Sequence, residues 1–255
     1  MLPVRHGHAT HVGRVRRVNE DSALAEPPVF AVADGMGGHA AGDVASAVVV
    51  EELRALVGRP VDAQALSAAL EAADRRVRDL SDESGRRLGA GSTVAAAALV
   101  DHDGTPSWLV VNCGDSRVYR FAGGRLTQLT VDHSLVQEMV DDGVLTPAEA
   151  RRHPARNVVT RAVGASSPLE PDQWLLPVTP GERLVLCTDG LTNEVDDDRL
   201  GELAGDAAAS PQSVAEALVE AAVDAGGHDN VTVVVVDVPE PAEHPPHAAP
   251  TPALH

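Results

Sequence analysis

Residues 226–238 read GGHDNVTVVVVDV, and this stretch sets the fold class. The paired glycines stop a helix predicted over residues 211–225, since glycine readily takes the backbone conformation that ends a helix. The valine-rich run at 231–238 predicts a strand deep in a sheet. Asp229 stands in the turn between them. Working outward, residues 183–187 and 29–33 predict two more short apolar strands, which lead into the pairs Asp189-Gly190 and Asp34-Gly35. Residues 94–100, 108–112 and 119–121 read as strands, and Gly123-Gly124 signals a hairpin turn. Helical spacing covers 43–56, 63–80 and 132–142. A short helix is predicted at 146–152, with Thr146 as cap, Pro147 at its first position and Glu149 closing a capping box. No internal repeat is evident. Strands and helices come in blocks rather than in strict alternation, which favours an α+β fold over a doubly wound sheet.

The chain of 255 residues can bury one good core or two small ones. Its 44% hydrophobic and 23% charged residues exclude global disorder. The formal charge of −18 opposes nucleic-acid binding and anionic membrane surfaces, because both need clustered cations. Every basic residue is arginine, and aromatic residues make up only 2%, too few for base-stacking platforms. Cys113 and Cys187 form neither a disulfide framework nor a zinc motif, which fits a reducing compartment. No apolar run is long enough for a membrane span, and the first residues show no secretory apolar segment. A cytoplasmic location is expected.

Asp34, Asp189 and Asp229 share one setting: each is placed at a strand end, with glycine at or near it so that backbone can approach closely. One Asp-Gly pair is an ordinary turn signal. Three such aspartates, able to converge at one sheet edge, make a carboxylate set suited to hard divalent cations such as Mg²⁺ or Mn²⁺. Residues 16–21, RRVNED, add Arg16, Glu20 and Asp21. A guanidinium can grip phosphate oxygens in pairs, and the carboxylates beside it can orient it or hold water on a cation.

Eight stretches in order resemble the metal-dependent protein serine/threonine phosphatases of type 2C, the PPM family, in their bacterial form. They are RRVNEDS (16–22), VADGMGGHAAGDVAS (32–46), GAGSTV (89–94), CGDSRVY (113–119), LTVDHSLV (129–136), NVVTRAVG (157–164), LVLCTDGLTN (184–193) and GGHDNVTV (226–233). The resemblance implies a four-layer αββα sandwich with two central antiparallel sheets and a metal site at one edge between them. By position, Asp34 matches the carboxylate that bridges two cations, Gly35 a carbonyl ligand, and Asp189 and Asp229 the remaining carboxylate ligands. Asp115 matches a ligand of a third cation, Arg16 the phosphate-binding arginine, and Glu20 and Asp21 carboxylates that hold metal-bound water. The implied reaction is in-line attack on phosphorus by water made acidic by two divalent cations, Mn²⁺ or Mg²⁺. The implied substrates are phosphoserine and phosphothreonine in proteins, and the implied counterpart is a bacterial Ser/Thr kinase. No nucleic acid, no membrane and a monomeric state are expected.

The chain departs from the pattern in places. Met36 stands where eukaryotic relatives carry a histidine acid, which makes nearby His39 a candidate proton donor. Asn193 replaces an aspartate near the third cation, so that ion is expected to bind more weakly. His11 and Ser92 also depart from the usual residues, and Cys113 and Cys187 read as packing residues. Residues 1–238 are expected to form the catalytic domain, with a flap at about 134–156. Residues 239–255, rich in Pro, Ala and His, are expected to be a disordered tail. His6, His8 and His11 read as a solvated arm, and Asp196–Asp198 as a loop face or helix cap. Two alternatives stay open: a catalytically weak phosphatase-like binding module, or a phosphatase dedicated to one partner-switching regulator.

Overall fold

The computed structural model describes residues 2–37, 41–80, 89–165 and 168–240. One sheet runs in the order β1-β11-β10-β7-β8, built from β1 (Arg5–His11), β7 (Arg117–Ala122), β8 (Arg125–Gln128), β10 (Arg183–Cys187) and β11 (Val231–Asp237). The other runs β2-β3-β5-β6-β9, built from β2 (Asp21–Glu26), β3 (Val29–Met36), β5 (Val94–His102), β6 (Thr105–Cys113) and β9 (Asp172–Pro177), with β4 (Gly91–Ser92) paired to the end of β3. All the strand pairings are antiparallel. Helices α1 (Gly42–Arg54) and α2 (Ala63–Arg78) cover the second sheet, and α6 (Asp197–Ala204) and α7 (Pro211–Ala225) cover the first. The short helices α3 (Leu135–Asp141), α4 (Pro147–Ala150) and α5 (Asp189–Thr192) lie in connections. The expected four-layer αββα order is what the chain adopts.

Strand alternation explains the layers. In β11 every residue is buried, so odd and even valines face different cores. Val231, Val233 and Val235 pack under α6 and α7, whereas Val234 and Val236 face the space between the sheets. There they meet Phe30, Val32, Trp108, Leu184 and Leu186. This middle layer also holds a buried charge. Glu182 accepts hydrogen bonds from the Trp108 indole (2.8 Å) and the Thr179 backbone N–H (2.9 Å), and it pairs with Arg120. The predicted hairpin is present as well: Ala122 and Arg125 are paired partners, and both intervening glycines have positive φ, as a tight turn between twisted strands requires.

Two expectations change. The histidine-bearing N-terminal segment is an edge strand paired along its length with β11, and the His6 ring lies tilted against Phe30 at 5.7 Å between ring centroids. The helix expected from residue 132 begins at Leu135, because Ser134 takes the extended capping conformation and accepts from the Gln137 N–H. The acidic run resolves as a cap: Asp196 accepts from the Arg199 N–H at the start of α6. His39 lies outside the described residues, as does the tail from residue 241 onward.

Glu182→Ala would leave the buried Trp108 N–H without an acceptor and Arg120 without its counter-charge. A loss of ~3–5 kcal/mol in urea unfolding is expected, and a loss below ~1 kcal/mol would contradict this account. Cys113 and Cys187 are fully buried, and burial pushes both thiols up to about 12. Native protein at pH 8 should leave both unmodified by a thiol reagent, and denatured protein should expose both; rapid native labelling would overturn the assignment.

Candidate active site

At one end of the space between the sheets lies a cleft of about 310 Å³, lined by Arg16, Glu20, Asp34, Gly35, Met36, Gly37, Asp115, Asn157, Val159, Asp189, Asp229 and Asn230. The lining aspartates arrive from different parts of the fold, each for a local reason. Asp34 rides the last turn-ward residues of β3, where its N–H donates to Thr93 Oγ1 (2.9 Å) and Thr93 in turn meets Ser116 Oγ (2.7 Å). Asp189 opens α5 immediately after β10, and Asp229 stands two residues before β11. Asp115 follows Gly114 at the end of β6 and is buried.

Close backbone approach makes the gathering possible. A Cβ on Gly35 would fall on the carbonyls of Gly42 and Glu20, and one on Gly190 would fall on the carbonyl of Asn230. At these positions no side chain fits, so β3, α1 and the segment before β2 meet at Gly35, and α5 meets the start of β11 at Gly190.

The segment between β1 and β2 is held over the cleft by Asn230. Its side-chain amide donates to the carbonyls of Val12 and Val18 (3.0 Å each) and accepts from the Glu20 N–H (2.9 Å). Arg16 is thereby placed with Nη2 2.7 Å from Asp229 Oδ2, and that carboxylate raises the guanidinium pKa. Asp21 sits behind the cleft wall, opposite Asp34 in the β2–β3 register, and accepts from Thr188 Oγ1 (2.9 Å).

The electrostatics are those of crowded like charges. Burial, followed by repulsion from Asp189, Asp21 and Asp115, holds the Asp34 carboxyl well above the usual carboxylate range. Burial and then Asp189 and Asp132 do the same to Asp115. Burial and Asp229 raise Asp189, and burial pushes Asp21 up to about 7. Asp21 Oδ1 and Asp189 Oδ1 are buried oxygens with no hydrogen-bond partner. Among the described residues, no three His, Cys, Asp or Glu side chains close on a single point. The carboxylates stand around the cleft, and Asp189 Oδ1, on a residue that lines it, is an orphaned oxygen that a cation there would satisfy. Among the described residues that line the cleft, the charged donors are carboxylate oxygens, with no thiol or imidazole, which fits Mg²⁺ or Mn²⁺.

Of the residues singled out from the sequence, Arg16, Glu20, Asp34, Gly35, Asp115, Asp189 and Asp229 line one cleft, and Asp21 supports it from behind. Other residues contribute without having been singled out. Asn230 ties down the arginine-bearing segment. Arg117 and Asp132 form an ion pair at 2.6 Å in the adjoining cavity, which shares Asp115 and Asp189 with the cleft. Glu194 meets His228 at 2.6 Å beside Asp229. All but Glu194 and His228's partner role were visible as polar residues inside the quoted motifs; what the sequence lacked was any sign of their partners. Asn193 donates to Asp189 Oδ2 (2.9 Å), occupying an oxygen that an aspartate at that position would leave free.

Comparison with known proteins agrees with this geometry. Residues 16–223 match the protein phosphatase 2C family. The chain is 38% identical to the serine/threonine protein phosphatase PstP of Mycobacterium tuberculosis over 93% of its own length, and it spans 45% of that relative. It superposes on the crystal structure of the M. tuberculosis phosphatase PstP/Ppp with a TM-score of 0.86 at 36% identity, covering 93% of this chain and 99% of that one. A PstP catalytic domain in complex with two manganese ions matches with a TM-score of 0.81 at 35% identity, covering 94% and 100% of the two chains. On the matched span, the shared sandwich and the identity level, this chain belongs to the protein phosphatase 2C family.

Proposed function

We propose that the chain hydrolyses phosphoserine and phosphothreonine in proteins, with two divalent cations, Mn²⁺ or Mg²⁺, as cofactors. The observation that carries this reading is the single cleft in which Glu20, Asp34, Asp115, Asp189 and Asp229 face Arg16. Asp34, Asp189, Asp229 and the Gly35 carbonyl would hold the two cations, and Asp115 would serve a third. When bound, the cations supply the charge that acidifies the attacking water and draws negative charge from the phosphoryl oxygens. Arg16 binds those oxygens, and Asp229 fixes the direction from which its guanidinium reaches them. Glu20 and Asp21 accept from water at the cleft wall, and Thr188 holds Asp21 in orientation. His39 stays a candidate proton donor.

The similar proteins support this reading, since they are serine/threonine phosphatases and one is a catalytic domain in complex with two manganese ions. The substrate's phosphoester requires a serine/threonine kinase as the preceding reaction. No helix among the described residues is long and apolar enough to cross a membrane. Two buried free thiols suit the reducing cytoplasm, where the protein would act as a monomer. Residues 1–238 form the proposed catalytic domain, with 134–156 as its flap.

Hydrolysis of a phosphothreonine peptide should require manganese and stop with EDTA. Asp34→Asn should lose activity by ~10²–10³-fold or more while keeping its circular dichroism spectrum. With one fewer buried carboxylate, the same variant should melt ~2–4 °C higher in EDTA for each ~1 kcal/mol of repulsion relieved. Full turnover by the variant would overturn the metal assignment. Calorimetric titration with manganese should show two tight sites and one weak one. Asn193→Asp should tighten the weak site, and three equally tight sites in the parent chain would contradict the role given to Asn193.

A further inference from the structure

His133 is fully buried and is not part of the cleft, yet it joins two segments that border it. Its backbone N–H donates to the Gly114 carbonyl (2.9 Å), and its ring Nδ1 accepts from the Gly114 N–H (3.2 Å). Gly114 thus has both of its peptide groups held by one residue. It has φ +115°, a Cβ there would strike Thr93, and it immediately precedes Asp115. On the other side, the His133 carbonyl accepts from the Thr160 N–H (2.8 Å). The next residues, Ser134 and Leu135, pair with Val159 and Val158 and close the base of the 134–156 segment.

The ring's chemistry follows from these partners. A nitrogen that accepts from an amide carries no proton, so the hydrogen of the neutral ring is on Nε2. Nε2 faces Asp172 Oδ2 at 3.3 Å, off the line of a straight hydrogen bond, and Asp172 is anchored by Arg161 at 3.0 Å. Burial lowers the imidazole pKa and favours the same neutral form. Hydrophobic packing alone would not require this; a leucine of similar size could fill the space but could not accept from Gly114.

We propose that His133 is a positioning residue: it ties the base of the 134–156 segment to the turn that carries Asp115, so that the two are held in place together. The tie is a property of the fold. Its kinetic consequence rests on the phosphatase reading, in which Asp115 serves a cation and the 134–156 segment borders the bound protein substrate.

The test compares His133→Leu, which removes the acceptor, with His133→Asn, whose Oδ1 can take the place of Nδ1. Amide exchange is followed in the full chain. In the leucine variant, the Gly114 amide and the amides of residues 134–160 should exchange faster together, by about tenfold or more. The asparagine variant should stay near the parent. Under the phosphatase reading, kcat of the leucine variant should fall for both p-nitrophenyl phosphate and a phosphothreonine peptide, and KM should rise for the peptide alone. Faster exchange at Gly114 without the 134–160 segment, or an asparagine variant as impaired as the leucine one, would overturn the proposal. If the leucine variant does not fold, Asp172→Ala takes its place: a smaller acceleration in both segments supports the tie, and one confined to β9 refutes it. Parent protein that shows the paired exchange behaviour but no phosphate release would refute the phosphatase reading alone.

Discussion

Mutual repulsion among carboxylates is the constraint that the rest of this molecule answers to. Burial first, and repulsion from neighbouring carboxylates second, raise the pKa values of Asp34, Asp115, Asp189 and, behind them, Asp21. Left to itself, a soft loop region would relax by swinging these groups into water. Here they are carried by strand ends and by the first turn of a helix, whose backbones are committed to two sheets and their covering helices. The sandwich stores the unfavourable arrangement because its three apolar layers outweigh it. A site of this kind lowers stability in exchange for a function, and the benefit appears only when positive charge enters the cleft.

Rigidity at the cleft comes from backbone contact more than from side-chain packing. Gly35 and Gly190 let chain segments touch where a methyl group would separate them. Asn230 then uses all of its amide's hydrogen-bonding groups on the segment before β2. The position of Arg16 therefore depends on a neutral side chain that never meets the phosphate. Thr188 performs a similar service between the sheets, accepting from the Thr232 N–H while donating to Asp21.

Much of the fold was legible because its central strands are simple. Residues 183–187 and the helix at 211–225 read correctly to the residue, since each is an apolar run or apolar period bounded by a strong stop signal. The elements missed were edge strands and short pieces. β1 reads RHGHATH, with exposed polar residues at most positions, and only its pairing with β11 makes it a strand. β9 and α6 likewise depend on neighbours distant in sequence, whereas β2 is fixed by its tight pairing with the adjacent β3. For the site, each Asp-Gly pair was visible, but their convergence was a possibility that only family resemblance turned into a residue-by-residue assignment. Asn230 was invisible in its role because its two carbonyl partners lie 218 and 212 residues away. His133 was hidden for the same reason: nothing in LTVDHSLV indicates that the ring faces Gly114.

The segment from Ser134 to Val159 leaves the body and returns to it at adjacent points, because its two ends are bonded to each other. The entropic cost of closing a connection with touching ends grows only slowly with its length, by about 0.6 kcal/mol for each doubling. Across it, the ion pair between Arg151 and Asp197 is exposed and contributes little to holding the core together. Such an excursion can be lengthened, shortened or exchanged while the sheets keep their register. So long as the base that His133 ties to Gly114 is kept, selection can redraw the outer wall beside the cleft, and with it the range of proteins that fit there, while leaving the charged centre in place.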